Sequence, residues 1–259
     1  VDDSSARLAR QRRYFLWRVQ KMAFWVLYDN AGSLILLNLT TLLLVLGPAW
    51  LLLQLPGGTY PQSAGVAALV ALMVVAGQAN VIKSLLEEEE FSLRRVAQGI
   101  AAHGFAVVGY GVLFALAETV ACLGAGFYAT QVAPARPALG WCLSGFCLSA
   151  GLAVLLSGVY VLPARIYQSR AKRRVMRASA ALAGAHPMAT LGLVVLMAGY
   201  GIFLATPPGL LLFSTIPLVT LVCCAYELLA RHYAEVPVFD ENDHYLNRGF
   251  NDFLFPWKG

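Results

Sequence analysis

Charge is what this sequence has least of. Only 13% of its 259 residues are Asp, Glu, Lys or Arg, against about one quarter in an ordinary soluble domain. Hydrophobic residues make up 59% and the mean hydropathy is +0.65. A water-soluble fold has nowhere to hide that much apolar surface, whereas a bilayer accepts it directly. At about 20 apolar residues per crossing plus connections, the chain has room for six spans and not for eight. The net charge of +5 does not point to nucleic acid, because the basic residues sort by membrane side.

Catalytic signatures are also missing. There is no nucleophile elbow, Walker loop, dinucleotide fingerprint or zincin helix, so nothing argues for an enzyme. No C-x-x-C pair occurs among the five cysteines, which removes the usual thiol-metal and redox patterns. Cys147, Cys223 and Cys224 fall inside apolar runs. Cys122 and Cys142 flank an outer loop, where a disulfide is one reading and two free thiols the other. The basic, polar start, with no short apolar stretch before a small-residue site, predicts no cleaved secretory signal.

What the sequence does have is six apolar runs: Ala31 to Leu53, Ser63 to Ile82, Gly104 to Ala125, Leu139 to Leu162, Met188 to Thr206, and Gly209 to Leu229. Each is near the length that crosses about 30 Å of hydrocarbon. All but one of the 19 Lys and Arg lie at the N-terminal segment, the second-to-third and fourth-to-fifth connections, or the tail; only Arg136 falls on the other side. Short cytoplasmic loops keep the basic residues. The expected fold is therefore all-α and polytopic, with six transmembrane helices as three hairpins, cytoplasmic interfacial helices and both termini in the cytoplasm. Three regions follow: residues 1–30 as a basic interfacial helix, 31–232 as the transmembrane domain, and 233–259 as a cytoplasmic tail. In the first, Arg18 and Lys21 share a side opposite Leu16, Val19 and Ala23, and Trp17 and Trp25 read as interfacial anchors. Arg-Arg pairs at Arg12, Arg94 and Arg173, with Gly-Tyr-Gly in spans three and five, hint at a three-fold hairpin repeat whose register is not kept.

Few residues offer chemistry. Glu118 is the one acid well inside a span, and an intramembrane carboxylate is a functional-site candidate by default; Tyr110 is a candidate partner. The competing reading puts Glu118 close enough to the outer boundary for its head to approach water. Glu227 with Arg231 four residues on reads as an interfacial ion pair, and Glu87 to Glu90 as a solvated helix face. His103 and His186 stand at the inner starts of spans three and five, and are weak candidates for a haem, chlorophyll or metal. His186-Pro187 reads equally as a helix entry. Gln78 and Asn80 suit interhelical hydrogen bonding, and Gly109, Gly111, Gly145, Gly151, Gly158, Gly192, Gly199 and Gly201 imply close helix approach. The tail acids Asp240 to Asp243 fail the EF-hand pattern, with Tyr245 where glycine is required. After them Phe250, Phe253, Leu254, Phe255 and Trp257 form an aromatic cluster too short to span, a candidate partner-binding element.

Tyr28-Asp29-Asn30-Ala31-Gly32-Ser33-Leu34, the acidic stretch ending Glu90-Phe91-Ser92, Ala185-His186-Pro187, and the closing Leu254-Phe255-Pro256-Trp257-Lys258 together resemble the YesL-like family of bacterial membrane proteins. The resemblance covers nearly the whole chain. It implies a six-helix protein of the bacterial cytoplasmic (inner) membrane, often encoded near carbohydrate-uptake systems, with no established activity and no catalytic residues to carry over.

The leading functional expectation is a non-catalytic membrane accessory subunit that packs in the lipid bilayer against other membrane subunits, without nucleic acid and without a cofactor. A small transporter or channel-like protein is the second reading, and a cofactor-carrying electron-transfer subunit the third.

Overall fold

The computed structural model describes residues 14–54, 59–87, 91–168, 172–204, 206, 215–233 and 244–249, and among these it is all-helical. The helices are α1 (Phe15–Asp29), α2 (Ala31–Gln54), α3 (Tyr60–Glu87), α4 (Leu93–Phe127), α5 (Pro137–Gly158), α6 (Val161–Gln168), α7 (Lys172–Ala185), α8 (Pro187–Leu204), α9 (Ile216–Tyr233) and α10 (His244–Asn247).

Among the described residues, four helical stretches are long and apolar enough to cross a membrane: α2, α3, α4 continuing to Val132, and α5 with α6. The bent pair α7–α8 makes a fifth if it is counted as one span, and the apolar part of α9, Ile216–Leu229, is shorter. The expected count of six is thus met by four or five. One bend accounts for part of the difference. The α7–α8 pair is bent by 100°, at His186, and α8 starts on Pro187, whose missing N–H suits a first helical position. The apolar residues that would lengthen α9, between Pro207 and Ser214, lie outside the described residues.

Proline and loop chemistry set the other boundaries. Pro163 has no N–H to give and its ring crowds the Val159 carbonyl, so the helix breaks at Val159–Tyr160 before resuming as α6. Pro48 is instead carried inside α2. Across from it, the Ser63 hydroxyl donates to the Ala49 carbonyl at 2.7 Å, tying α2 to α3. The connection expected from Gly126 to Ala138 is mostly helical. After α4 a π turn, Tyr128–Val132, closes with the Ala133 N–H on the Tyr128 carbonyl at 3.0 Å. A Cβ on Gly140 would lie 2.4 Å from the Ala133 Cα, so only glycine lets α5 fold back this tightly.

The core gathers around α9. Cys223, Cys224 and Ala225 are wholly buried, as are Val19 and Val26 of α1, Val81, Ile82 and Leu85 of α3, and Tyr160 between α5 and α6. α9 packs more extensively on α1 and α3 than on α8, the helix before it, so the third hairpin is not a self-contained unit. The basic end of the bundle is knitted by polar contacts: Asn80 Nδ2 donates to the Arg95 carbonyl at 2.9 Å, and Lys83 Nζ lies 5.3 Å from the Tyr167 ring. At the opposite end Trp50, Tyr60 and Trp141 are exposed, as aromatic rings are at a membrane–water boundary.

Two expectations for α1 need correcting. Arg18 is buried beside Val19 instead of lying on a solvated face. Trp17 is exposed, but Trp25 is buried, with the Arg248 guanidinium 4.9 Å from its ring centroid and paired in turn to Asp29. These contacts and the Lys21 Nζ bond to the Leu246 carbonyl at 2.6 Å fasten residues 245–248 to α1.

Candidate functional site

The helical run that carries Glu118 continues past it to Val132, roughly 20 Å further at 1.5 Å per residue. The Glu118 Oε1 is buried with no hydrogen-bond partner. Oε2 points across to α5, where a Cβ on Gly151 would come within 3.1 Å of it. Gly151 is therefore the residue that leaves room for the carboxylate.

Glu118 is among the residues lining a cleft of about 430 Å³, inside the roughly 300–1,000 Å³ range of small-molecule sites. Val75 of α3, Phe114 of α4, Leu155 and Gly158 of α5, Met197 of α8, and Leu218 and Val222 of α9 supply apolar wall. Gly158 lies against the Phe114 ring, where a Cβ would make ordinary contact at 3.5 Å. Among the described residues the one hydroxyl on the wall belongs to Thr215, just ahead of α9.

Thr215 is wired into the core. Its hydroxyl donates to Gln78 Oε1 at 2.8 Å, Gln78 Nε2 donates to Thr41 Oγ1 at 3.1 Å, and the Thr41 hydroxyl donates to the Leu37 carbonyl at 2.9 Å. Gln78 is wholly buried. This chain joins α2, α3 and the start of α9 behind the cleft, and it confirms Gln78 as an interhelical hydrogen-bonding residue, as Asn80 is across α3 and α4. Sequence reading missed Thr215, and with reason. Most threonines in the apolar helices (Thr40, Thr119, Thr130, Thr190 and Thr220) bond their own carbonyl four residues back, the ordinary helical habit. Nothing local marks Thr215 as the one that reaches across instead.

The other candidates do not converge on this cleft. Tyr110 is buried in the core and is not part of the cleft wall. His103, with a buried and unpartnered Nδ1, has Arg165 and Lys83 nearby. His186 occupies the α7–α8 bend, its carbonyl accepting from the Thr190 hydroxyl at 2.9 Å. Among the described residues no three His, Cys, Asp or Glu cluster as metal ligands do. All five cysteines are free, and Cys122 and Cys142 are exposed thiols rather than a disulfide. Of the glycines named for close approach, Gly111, Gly151, Gly158 and Gly192 meet neighbours, while Gly109, Gly145, Gly199 and Gly201 face open space. Glu87 pairs with Lys83 at 3.7 Å. The side chain of Arg231, the tail acids, and Phe250, Phe253, Leu254, Phe255 and Trp257 lie outside the described residues.

Comparison of the chain with protein-family models, with curated proteins and with solved structures returns no match. The cleft and its chemistry therefore carry the functional argument.

Proposed function

We propose that this protein is a small transporter-like component of the bacterial cytoplasmic membrane that binds a small ligand between α4, α5 and α9. The observation that carries the reading is Glu118, which has one carboxylate oxygen buried and unpartnered and is among the residues lining an apolar cleft of about 430 Å³. Holding an ionised carboxylate among apolar helices costs several kcal/mol unless a proton or a cation answers it. A structural role would be better served by leucine. The accessory-subunit reading drew on short outer loops, the lone intramembrane acid, the many small residues and the aromatic tail, of which the tail lies outside the described residues; the electron-transfer reading drew on His103 and His186, around which no metal-ligand cluster occurs among the described residues.

The same proposal includes six spans with α8 and α9 as the fifth and sixth, and both termini in the cytoplasm. Its support is the confinement of basic residues to one side, with Arg136 alone on the other. The YesL-like resemblance agrees with that location and suggests a link to carbohydrate uptake. Reporter fusions test the orientation: one after Arg170 is expected to read as cytoplasmic and one beside Arg136 as external, and the reverse pattern would overturn it.

Dicyclohexylcarbodiimide, which reacts with protonated carboxyls in apolar surroundings, tests the site. In proteoliposomes it is expected to modify Glu118, located by peptide mass mapping, and to leave Glu118→Gln unmodified there. Failure of Glu118 to react while exposed acids do would end the proposal.

A further inference from the structure

The cleft has a polarity of its own, set by the direction of the hydrogen bonds behind it. A threonine hydroxyl owns one proton, and Thr215 gives that proton away from the cleft, to Gln78 Oε1. Gln78 passes a donor on to Thr41, and Thr41 to a backbone carbonyl. What Thr215 has left to offer the cleft is lone pairs. Glu118, when ionised, offers only lone pairs as well. Among the described residues on the cleft wall none is Lys, Arg or His, so none of them answers either acceptor.

The other described residues of the wall are apolar and include Phe114. An aromatic face beside a carboxylate attracts a cation as well as a hydrocarbon. An anion would meet Glu118 without a counter-charge. A sugar would leave most of its hydroxyls unpaired against Val75, Leu155, Leu218 and Val222.

We infer that the cleft takes a protonated organic amine with an apolar body, its N–H groups donating to Glu118 and Thr215 and its hydrocarbon lying along Phe114 and α9. This rests on the reading of Glu118 as a ligand site and narrows it to one substrate class. The ammonium must lose its water on entry, and the donors are what replace those lost hydrogen bonds. A quaternary ammonium keeps the charge but has no N–H, and a neutral alcohol keeps a donor but has no charge. The site prefers the primary amine over both.

The experiment measures binding of 4-phenylbutylamine, its trimethylammonium analogue, 4-phenylbutanol and 4-phenylbutyrate to the purified protein in detergent by isothermal titration calorimetry, with no carbodiimide present. The amine is expected to bind about tenfold more tightly than the alcohol or the trimethylammonium compound, the scale of one charge-assisted hydrogen bond, and the butyrate not at all. Thr215→Val, which keeps the shape and removes the acceptor, is expected to shrink the preference for the amine over its trimethylammonium analogue while the butyrate stays inactive. Equal affinity of the two cations, binding of the butyrate, or binding of none of the four would overturn the amine assignment while leaving Glu118 as a carbodiimide-reactive site. If Glu118 fails to react with the carbodiimide in the separate labelling experiment, the ligand site itself is lost and the assignment falls with it.

Discussion

Helices α5 and α9 are both runs of Leu, Val, Ala and Cys, yet they occupy opposite extremes of the molecule. In α9 nearly every described side chain is enclosed, with Cys223, Cys224 and Ala225 at zero exposure. In α5, Trp141, Phe146, Leu148 and Leu152 look outward, and Phe146 is 72% exposed. In water one of these helices would be a folding error. In a bilayer both are at ease, because lipid tails are as apolar as leucine and burial there yields no hydrophobic gain. The choice of inner helix therefore falls to packing contacts and to the few polar groups that need partners. α9 is drawn inward where Thr215 bonds Gln78 and where Tyr226 accepts a hydrogen bond from Gln168 Nε2 at 2.5 Å. In α5 the Ser149 and Ser157 hydroxyls bond carbonyls of their own helix, at Gly145 and Ala153. That leaves α5 one packed stripe, marked by Gly140, Gly151 and Gly158.

The sharpest way to break this contrast is to cut the same leucine from each helix. Leu221 of α9 is 1% exposed and Leu148 of α5 is 57% exposed. Leu221→Ala is expected to cost about 2–5 kcal/mol from lost contacts and the cavity left behind. Leu148→Ala is expected to stay within about 0.5 kcal/mol. Denaturant unfolding in mixed micelles measures both, and equal losses would mean that α5 is not the outer helix.

A smaller effect is expected where backbones touch. A Cβ on Gly99 would lie 2.7 Å from the Asn80 Cβ and 2.9 Å from the Gly77 Cα, whereas one on Gly145 meets nothing within 4 Å. Gly99→Ala is expected to destabilise by about 1–3 kcal/mol, since α3 and α4 must part and strain the Asn80 bond to the Arg95 carbonyl. Gly145→Ala is expected to be neutral or slightly stabilising, because alanine is the better helix former. Melting temperatures of the two variants decide it.

The smallest effect is one of access with no change in stability. An apolar maleimide added to the native protein in detergent is expected to modify Cys122 and Cys142 and to spare Cys223 and Cys224 until the protein unfolds. Early labelling of Cys223 would mean that the α9 core opens on the labelling timescale.

Much of the architecture was legible because hydrophobic length is a one-dimensional property. The runs from Ala31, Ser63, Gly104 and Leu139 reappear as α2, α3, α4 and α5–α6, each longer than its apolar run because polar and small residues continue the helix beyond the hydrocarbon. The glycines were less legible. Gly109 and Gly145 resemble Gly77 and Gly99 in composition around them, but only the second pair lies where two helices cross. A glycine says that close approach is permitted, and the partner says whether it happens. Glu118 was found from sequence because a lone acid in an apolar run is conspicuous. Thr215 was not, because a threonine that bonds its own helix and one that bonds another are written with the same letter.

The sequence by itself determined that this is a helical chain for an apolar solvent, where its longest helices run, and which end of the bundle is basic. Local length, charge and turn chemistry decide each of these without reference to distant residues. The tertiary structure alone decided that α9 is the inner helix, that Gly151 opens a space for the Glu118 carboxylate, and that Thr215 turns its proton toward Gln78. Those depend on which helices become neighbours, and residues as far apart as 78 and 215 meet only once the whole bundle has closed.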